Sequence, residues 1–89
     1  MEIRWTSYLQ FRANLRGFDL SALEGILRSA SERYTDVATG RRVAIGKHGN
    51  TLVAIPYDLD KDAVIPVTVH ATSRQQITYR LKSGRFVYD

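Results

Sequence analysis

The chain has 89 residues, which is enough for one domain with a thin core and too few for separate cofactor and substrate domains. Hydrophobic residues make up 44% of the sequence and charged residues 25%, a balance typical of globular proteins. Cysteine is absent, which excludes disulfides, thiolate metal sites and thiol catalysis. We therefore expect a single domain over residues 1–89, with any site on one face of a small sheet or bundle.

Charge and hydropathy give the first expectations about partners. Thirteen Lys and Arg residues exceed nine Asp and Glu residues, so the net charge is +4, which modestly favours a polyanionic partner. The longest apolar run, Leu52–Tyr57, contains Pro56 and is too short to span a membrane. Glu2 and Arg4 carry charges near the start, and no apolar segment follows them, so we expect no signal peptide. These features predict a cytoplasmic protein without a membrane partner.

The N-terminal third has the patterns of a short strand and a helix. Glu2–Trp5 alternates in polarity, and we expect it to form a strand that pairs later in the sheet. Thr6 can cap a helix that ends at Gly17. The apolar residues of this helix recur at i, i+3 and i+7, which predicts a stripe that packs on a sheet: Tyr8, Phe11 and Leu15.

A second helix is expected to open at Asp19–Ser21. Ser21 and Glu24 have the spacing of a capping box at a helix start. The apolar positions of this helix also form one stripe that we expect to pack on the sheet: Leu20, Leu23, Ile26, Leu27 and Ala30.

The middle of the chain has the pattern of an antiparallel meander. β-branched residues and alternating polarity are separated by turn residues, which is typical of consecutive hairpins. The predicted strands are Tyr34–Val37, Arg42–Gly46, Thr51–Asp58 and Ala63–Val69, with turns at Thr39-Gly40, Lys47–Asn50 and Asp58–Asp62.

The last segment is predicted to be a short helix. Thr72 and Gln75 have capping-box spacing, Ile77 and Leu81 lie at i and i+4, and Gly84 can end the helix. The alternation within Ile77–Leu81 leaves a strand as the alternative. The predicted fold class is thus α+β: two N-terminal helices on a curled antiparallel sheet of four to five strands, then a short C-terminal helix.

The two histidines are the only side chains whose ordinary pKa lies near neutrality. His48 falls in a predicted hairpin tip, where we expect it to be exposed to solvent. His70 follows a predicted buried strand and precedes a basic helix, so its ring can protrude at the sheet rim; a structural role is the alternative. The two lack the spacing of metal ligands, and no metal or other cofactor is expected.

Cations are concentrated near the C-terminus. Four basic residues, opposed only by Asp89, follow within the last sixteen residues: Arg74, Arg80, Lys82 and Arg85. Such a cluster is typical of a phosphate-binding surface, because the guanidinium group pairs with two oxygens at once. Interleaved aromatic residues can stack on unpaired bases or pack the tail on the sheet: Tyr79, Phe86 and Tyr88.

Several segments together resemble one family. Trp5 at the end of the first strand, Asn14–Phe18 between the helices and the strand pair Gly40–Gly46 and Thr51–Tyr57 occur in order, followed by Val64–Val69 and the corner His70–Arg74. This arrangement, over roughly residues 2–76, resembles the BrnT-like toxins, small RelE-fold ribonucleases of bacterial type II toxin–antitoxin pairs. Two departures from the family pattern occur, at Arg16-Gly17 and at the less arginine-rich corner His70–Arg74.

The resemblance implies that the chain cleaves RNA without a metal, by attack of the RNA's own 2′-hydroxyl on the adjacent phosphate. It implies His70 as the acid or base and Arg74 and Arg80 as the clamp on the phosphate. Further substrate contacts are expected from Arg42, Lys47, Tyr79, Lys82 and Arg85. The implied partners are RNA, with ribosome-associated mRNA as one form of it, and a cognate antitoxin that forms a hetero-oligomer with the chain.

Two other functions stay open at this point. Only one plausible acid–base residue stands at the expected catalytic corner, which also fits a non-catalytic RelE-like module that binds RNA or a protein. An apolar helix face that recruits an amphipathic partner helix is the third alternative.

Overall fold

The chain folds into three helices and seven strands in a computed structural model that describes all of residues 1–89. The helices are Ser7–Leu15 (α1), Leu20–Ser29 (α2) and Arg74–Lys82 (α3). The strands are Glu2–Ile3 (β1), Glu32–Asp36 (β2), Arg41–His48 (β3), Thr51–Asp60 (β4), Ala63–Pro66 (β5), His70–Ala71 (β6) and Phe86–Tyr88 (β7).

All seven strands belong to one sheet. Their order is β1-β5-β4-β3-β2-β7, and β6 pairs with β4 beyond the end of β5. The neighbours are antiparallel except β1 and β5, which run parallel. The α+β class, the central meander and the late pairing of the first strand are confirmed. The predicted count of four to five antiparallel strands is too small, because β6 and β7 were not expected and β1 makes the sheet mixed.

Helices cover both faces of the sheet. On one face, α1 and α2 bury Leu9, Leu23 and Leu27 against strand residues such as Val53 and Ile55. The approach of α2 is close: a Cβ on Gly46 of β3 would lie 2.7 Å from Ile26 Cγ2. On the other face, Ile77 of α3 packs in a second cluster with Tyr34, Val43, Ile45, Ala54 and Phe86.

The predicted apolar stripe of α1 is wrong. Thr6 caps the helix as expected, since its Oγ1 accepts from the Leu9 N–H at 3.0 Å. The residues that face the sheet are Leu9 and Ala13, at i and i+4, and both are buried. Tyr8, Phe11 and Leu15 are instead 56%, 60% and 64% exposed. The two stripes are centred about 150° apart around the helix, and the stripe that contains the small residue Ala13 allows closer packing on the sheet.

The other two helices start one or two residues from the predicted capping boxes. Asp19 caps α2, where it accepts from the Ala22 N–H, so the Ser21–Glu24 spacing has no capping role. Ser73 rather than Thr72 caps α3, and it accepts from the Gln76 N–H. The buried stripe of α2 and the helical state of residues 74–82 are confirmed. Gly84 follows α3 with a φ of +80°, which favours glycine at a helix end.

The hairpin turns are tighter than predicted. β3 continues through Lys47 to His48, so the turn to β4 is only Gly49-Asn50, with Gly49 at a φ of +60°. The acidic turn is reduced in the same way to Lys61-Asp62, because β4 runs on to Asp60.

His48 is therefore not at an exposed tip. It is partly buried, its Nε2 accepts from the Asp19 N–H at 3.0 Å, and its ring meets Phe18 edge-on. The imidazole thus ties the end of β3 to the start of α2. His48 is structural in this fold.

Two leucines on α1 test this packing. Leu9→Ala removes a fully buried side chain and should lower the free energy of unfolding by about 2–5 kcal/mol. Leu15→Ala, the matched control on the exposed stripe, should change it by about 0.5 kcal/mol or less. Urea unfolding followed by circular dichroism measures both. Equal losses would show that α1 packs through the stripe Tyr8, Phe11 and Leu15 after all.

Candidate functional site

A bulge in the sheet edge positions His70. Between the register pairs Tyr57–Pro66 and Ala54–His70, β4 advances three residues while the opposite chain advances four. The predicted continuous strand Ala63–Val69 is therefore wrong: it breaks after Pro66. The extra residue shifts the alternation of side chains, so Val69 packs under α1 and α2 while His70 lies on the α3 face.

His70 borders a cleft on that face. The volume of this cleft is about 180 Å³. Its floor is the sheet and its far wall is the end of α3 and the start of β7. The residues that line it are Asp36, Thr39, Arg41, Val43, Pro56, Val67, Thr68, His70, Arg80, Arg85 and Phe86. A cleft of this size, rich in cationic side chains, can admit a small anionic group rather than a large apolar ligand.

The arginines around His70 lack carboxylate partners, unlike most arginines in the chain. Of the ten arginines in the sequence, six form ion pairs: Arg4, Arg28, Arg41, Arg42, Arg74 and Arg85. Arg33 is held by two backbone carbonyls and Tyr57. The remaining three are the ones whose charges act on His70: Arg12, Arg16 and Arg80.

These three side chains come from two helices on opposite faces of the sheet. Arg16, at the end of α1, donates from Nη1 to the Val69 carbonyl at 3.4 Å. Arg12 lies over the Tyr8 ring, and its buried Nε has no acceptor. Arg80 of α3 lies over the Phe86 ring, 5.5 Å from its centroid. All three keep guanidinium N–H groups available for an anion.

The imidazole of His70 is held in its neutral form. Burial lowers the pKa of His70, and the positive charges of Arg16, Arg80 and Arg12 lower it further. No carboxylate opposes these effects at His70. At neutral pH the ring is consequently a proton acceptor beside uncompensated positive charge.

Asp36, the one carboxylate residue that lines the cleft, is already bound in an ion pair. Arg85 donates from Nε and Nη2 to the two carboxylate oxygens of Asp36, each at 3.0 Å. Burial alone would raise the pKa of Asp36, but the hydrogen bonds from Arg85 and from the Ala38 N–H keep it below its usual value. Asp36 is therefore an ionised structural partner that fixes the start of β7 beside the cleft.

The structure brings together only some of the predicted site residues. Arg80 and Arg85 line the cleft with His70, and Tyr79 lines an adjoining groove along α3. Arg74 lies outside the cleft, where it pairs with Glu32 at 2.7 Å, and Arg42 pairs with Asp89 at 3.2 Å. Lys47 and Lys82 are exposed and line neither depression. The basic tail is thus partly neutralised within the fold itself.

Arg12 and Arg16 were not among the predicted site residues. Both precede the sheet in the chain by many residues, and only the packing of α1 brings them near His70. One feature of the sequence could have indicated that these two arginines are unpaired: α1 contains no acidic residue. Arg12 has no carboxylate at i±3 or i±4, and Arg16 has only Asp19, which lies beyond the end of the helix.

The comparisons with known proteins add no relative. No family model, curated protein or solved structure matches the chain. No cluster of three or more histidine, aspartate and glutamate side chains is arranged to hold a metal ion. The longest helix has ten residues, and none of the three has the length and apolar character needed to cross a membrane. The site must therefore be interpreted from its own geometry.

The neutral state of His70 predicts a pH-dependent stability. Because the pKa of His70 is lower in the folded than in the unfolded chain, unfolding takes up a proton as the pH falls below about 6.5, and stability falls with it. Asp36 and Glu32, whose pKa values are also lowered, lose their contributions only in a more acidic range. His70→Gln should reduce this slope of stability against pH just below about 6.5. Urea unfolding at a series of pH values measures it, and an unchanged slope in the variant would contradict this assignment.

Proposed function

We propose that the chain is a metal-independent endoribonuclease of the toxin type, resembling the BrnT-like, RelE-fold toxins. The observation that carries the proposal is a neutral imidazole at the edge of a cleft that Arg80 also lines, while Arg16 binds the neighbouring Val69 carbonyl from α1. The charges of Arg80, Arg16 and Arg12 act on this imidazole, and none of the three has a carboxylate partner. Attack of a 2′-hydroxyl on its own phosphodiester is a transesterification, and two elements accelerate it: a base for the hydroxyl proton and fixed positive charge for the phosphorane.

In the proposed reaction His70 is the base. Its imidazole takes the proton of the 2′-hydroxyl while the 2′-oxygen bonds to phosphorus and the bond to the 5′-oxygen breaks. The products are a 2′,3′-cyclic phosphate and a 5′-hydroxyl. Asp36 is ionised and bound by Arg85, so it has no proton to donate, and the leaving 5′-oxygen takes its proton from water.

The arginines supply the fixed charge. Arg80 shares the cleft with His70, and its guanidinium makes no hydrogen bond within the chain. The charges of Arg12 and Arg16 act on His70 from α1, and we assign to these two residues the phosphate-stabilising role that the BrnT-like resemblance implies for Arg74, because Arg74 is paired with Glu32. A positioned cation of this kind contributes about 10²–10³ in rate.

The proposed substrate is RNA in the cytoplasm, with ribosome-associated mRNA as one form of it, and the proposed protein partner is an antitoxin that forms a hetero-oligomer with the chain. A protein partner is supported by the exposed residues Tyr8, Phe11 and Leu15, which form an apolar stripe on α1. Arg12 lies among these residues, so a partner with carboxylates on this helix would also neutralise charge at His70.

One observation favours a second function, a module that binds RNA without cutting it. The cleft contains a single group suited to proton transfer at neutral pH, since Asp36 is locked in its ion pair. The cations alone are sufficient for binding to the RNA backbone.

Cleavage of a labelled single-stranded RNA in EDTA tests the proposal. We expect products that end in 2′,3′-cyclic phosphate, with a rate that rises with pH below about 6.5 as His70 loses its proton. His70→Ala should reduce the rate by about 10²–10⁴-fold, and Arg80→Ala by about 10²–10³-fold.

Arg28→Ala is the matched control, because it removes the same charge from an arginine that pairs with Glu24 on α2. It should leave the rate unchanged. Binding that weakens steeply with salt but gives no cleavage would support the RNA-binding module instead, and cleavage that persists in both His70→Ala and Arg80→Ala would show that the site lies elsewhere.

A further inference from the structure

A second depression adjoins the His70 cleft. It is an open groove of about 630 Å³ along the outer face of α3, lined by Gln75, Gln76, Tyr79, Arg80, Ser83 and Arg85. The four α3 residues among these and the C-cap Ser83 recur at i, i+1, i+4, i+5 and i+8, so they form one continuous helix face. Arg80 and Arg85 line both depressions, which makes them the boundary between the groove and the cleft.

The groove has an aromatic surface without a partner. Tyr79 is 71% exposed and stacks on no other ring of the chain. The helix is anchored to the sheet by Ile77 instead, so Tyr79 has no packing role that explains an exposed aromatic side chain. A phenol ring in this setting offers one face to a planar ligand.

The polar groups beside Tyr79 are uncharged amides. Thr72 Oγ1 donates to Gln76 Oε1 at 3.2 Å, which fixes that amide and leaves its NH₂ hydrogens for a ligand. Gln75 is exposed and has no side-chain hydrogen bond. Amides match the donor and acceptor edges of nucleobases, whereas the cations at the boundary match phosphate.

We propose that this groove is a binding subsite for one unpaired nucleobase, which stacks on Tyr79 and is selected by the amides of Gln75 and Gln76. The phosphate of the same nucleotide then lies at Arg80, where the groove meets the cleft. The position of the base relative to a scissile bond rests on the proposed nuclease function. Base binding itself requires only the groove.

The test uses the full chain with His70→Ala, so that RNA is bound and not consumed. Fluorescence anisotropy with fluorescein-labelled six-nucleotide oligo(U), oligo(A) and oligo(C) gives three affinities. Tyr79→Ala should weaken binding about tenfold, and Tyr79→Phe should restore it, because stacking needs the ring and not the hydroxyl. Tyr88→Ala is the matched control, since it removes a tyrosine that is 77% exposed on β7.

The amides have a separate readout. The three RNAs should differ in affinity by at least about threefold, and the double variant Gln75→Ala/Gln76→Ala should make them equal. Equal effects of Tyr79→Ala and Tyr88→Ala, or no measurable binding of any of the three RNAs, would overturn the subsite. If RNA binds through Tyr79 but the unmodified chain never cuts it, the proposed nuclease function is rejected and the subsite is retained. If RNA is cut and the Tyr79 variants make no difference, the subsite is rejected and the nuclease function is retained.

Discussion

Uncompensated positive charge around one half-buried imidazole is the constraint on which this account depends. Like charges repel, and burial makes the repulsion stronger, so a fold does not gain stability by gathering Arg12, Arg16 and Arg80 near His70. Elsewhere the same chain pairs its arginines with carboxylates in six cases. The exception is confined to one place, and such an exception is typical of a site that an anion occupies during function.

The backbone produces this arrangement through a local irregularity. One extra residue between Pro66 and His70 directs Val69 to one core and His70 to the opposite face. At this edge of the sheet, the charges of Arg12 and Arg16 from α1 and of Arg80 from α3 act on the same imidazole. The Asp36–Arg85 pair then fixes β7 and the end of the cleft, and it also removes the one acid from the chemistry.

Much of the fold could be predicted from local patterns. The Thr6 cap, the apolar periodicity of α2, the glycine after α3 and the β-branched runs were enough to predict two helices, the meander and the C-terminal helix. The bulge could not be predicted, because Ala63–Val69 has an unbroken strand composition and only its pairing with β4 shows the extra residue. The α1 stripe was wrong for a related reason. Leu9 and Ala13 make a weaker pattern than Tyr8, Phe11 and Leu15, and close packing on the sheet favours the smaller pair.

The candidate site shows the same division. His70, Arg80 and Arg85 lie near one another in the chain and could be grouped from sequence. Arg12 and Arg16 come near His70 only through tertiary packing. Arg74 does not belong to the site, because it is hydrogen-bonded to Glu32, which is 42 residues away in sequence. Charge counts along a sequence therefore overestimate free charge wherever distant strands supply carboxylates.

The most direct test is a titration of the His70 imidazole by NMR in the unmodified chain, in Arg80→Ala and in the control Arg28→Ala. The account predicts a pKa below 6.5 for His70, a higher value in Arg80→Ala and no change in Arg28→Ala. A pKa at or above 6.5 in the unmodified chain, or one that Arg80→Ala leaves unaltered, would contradict it.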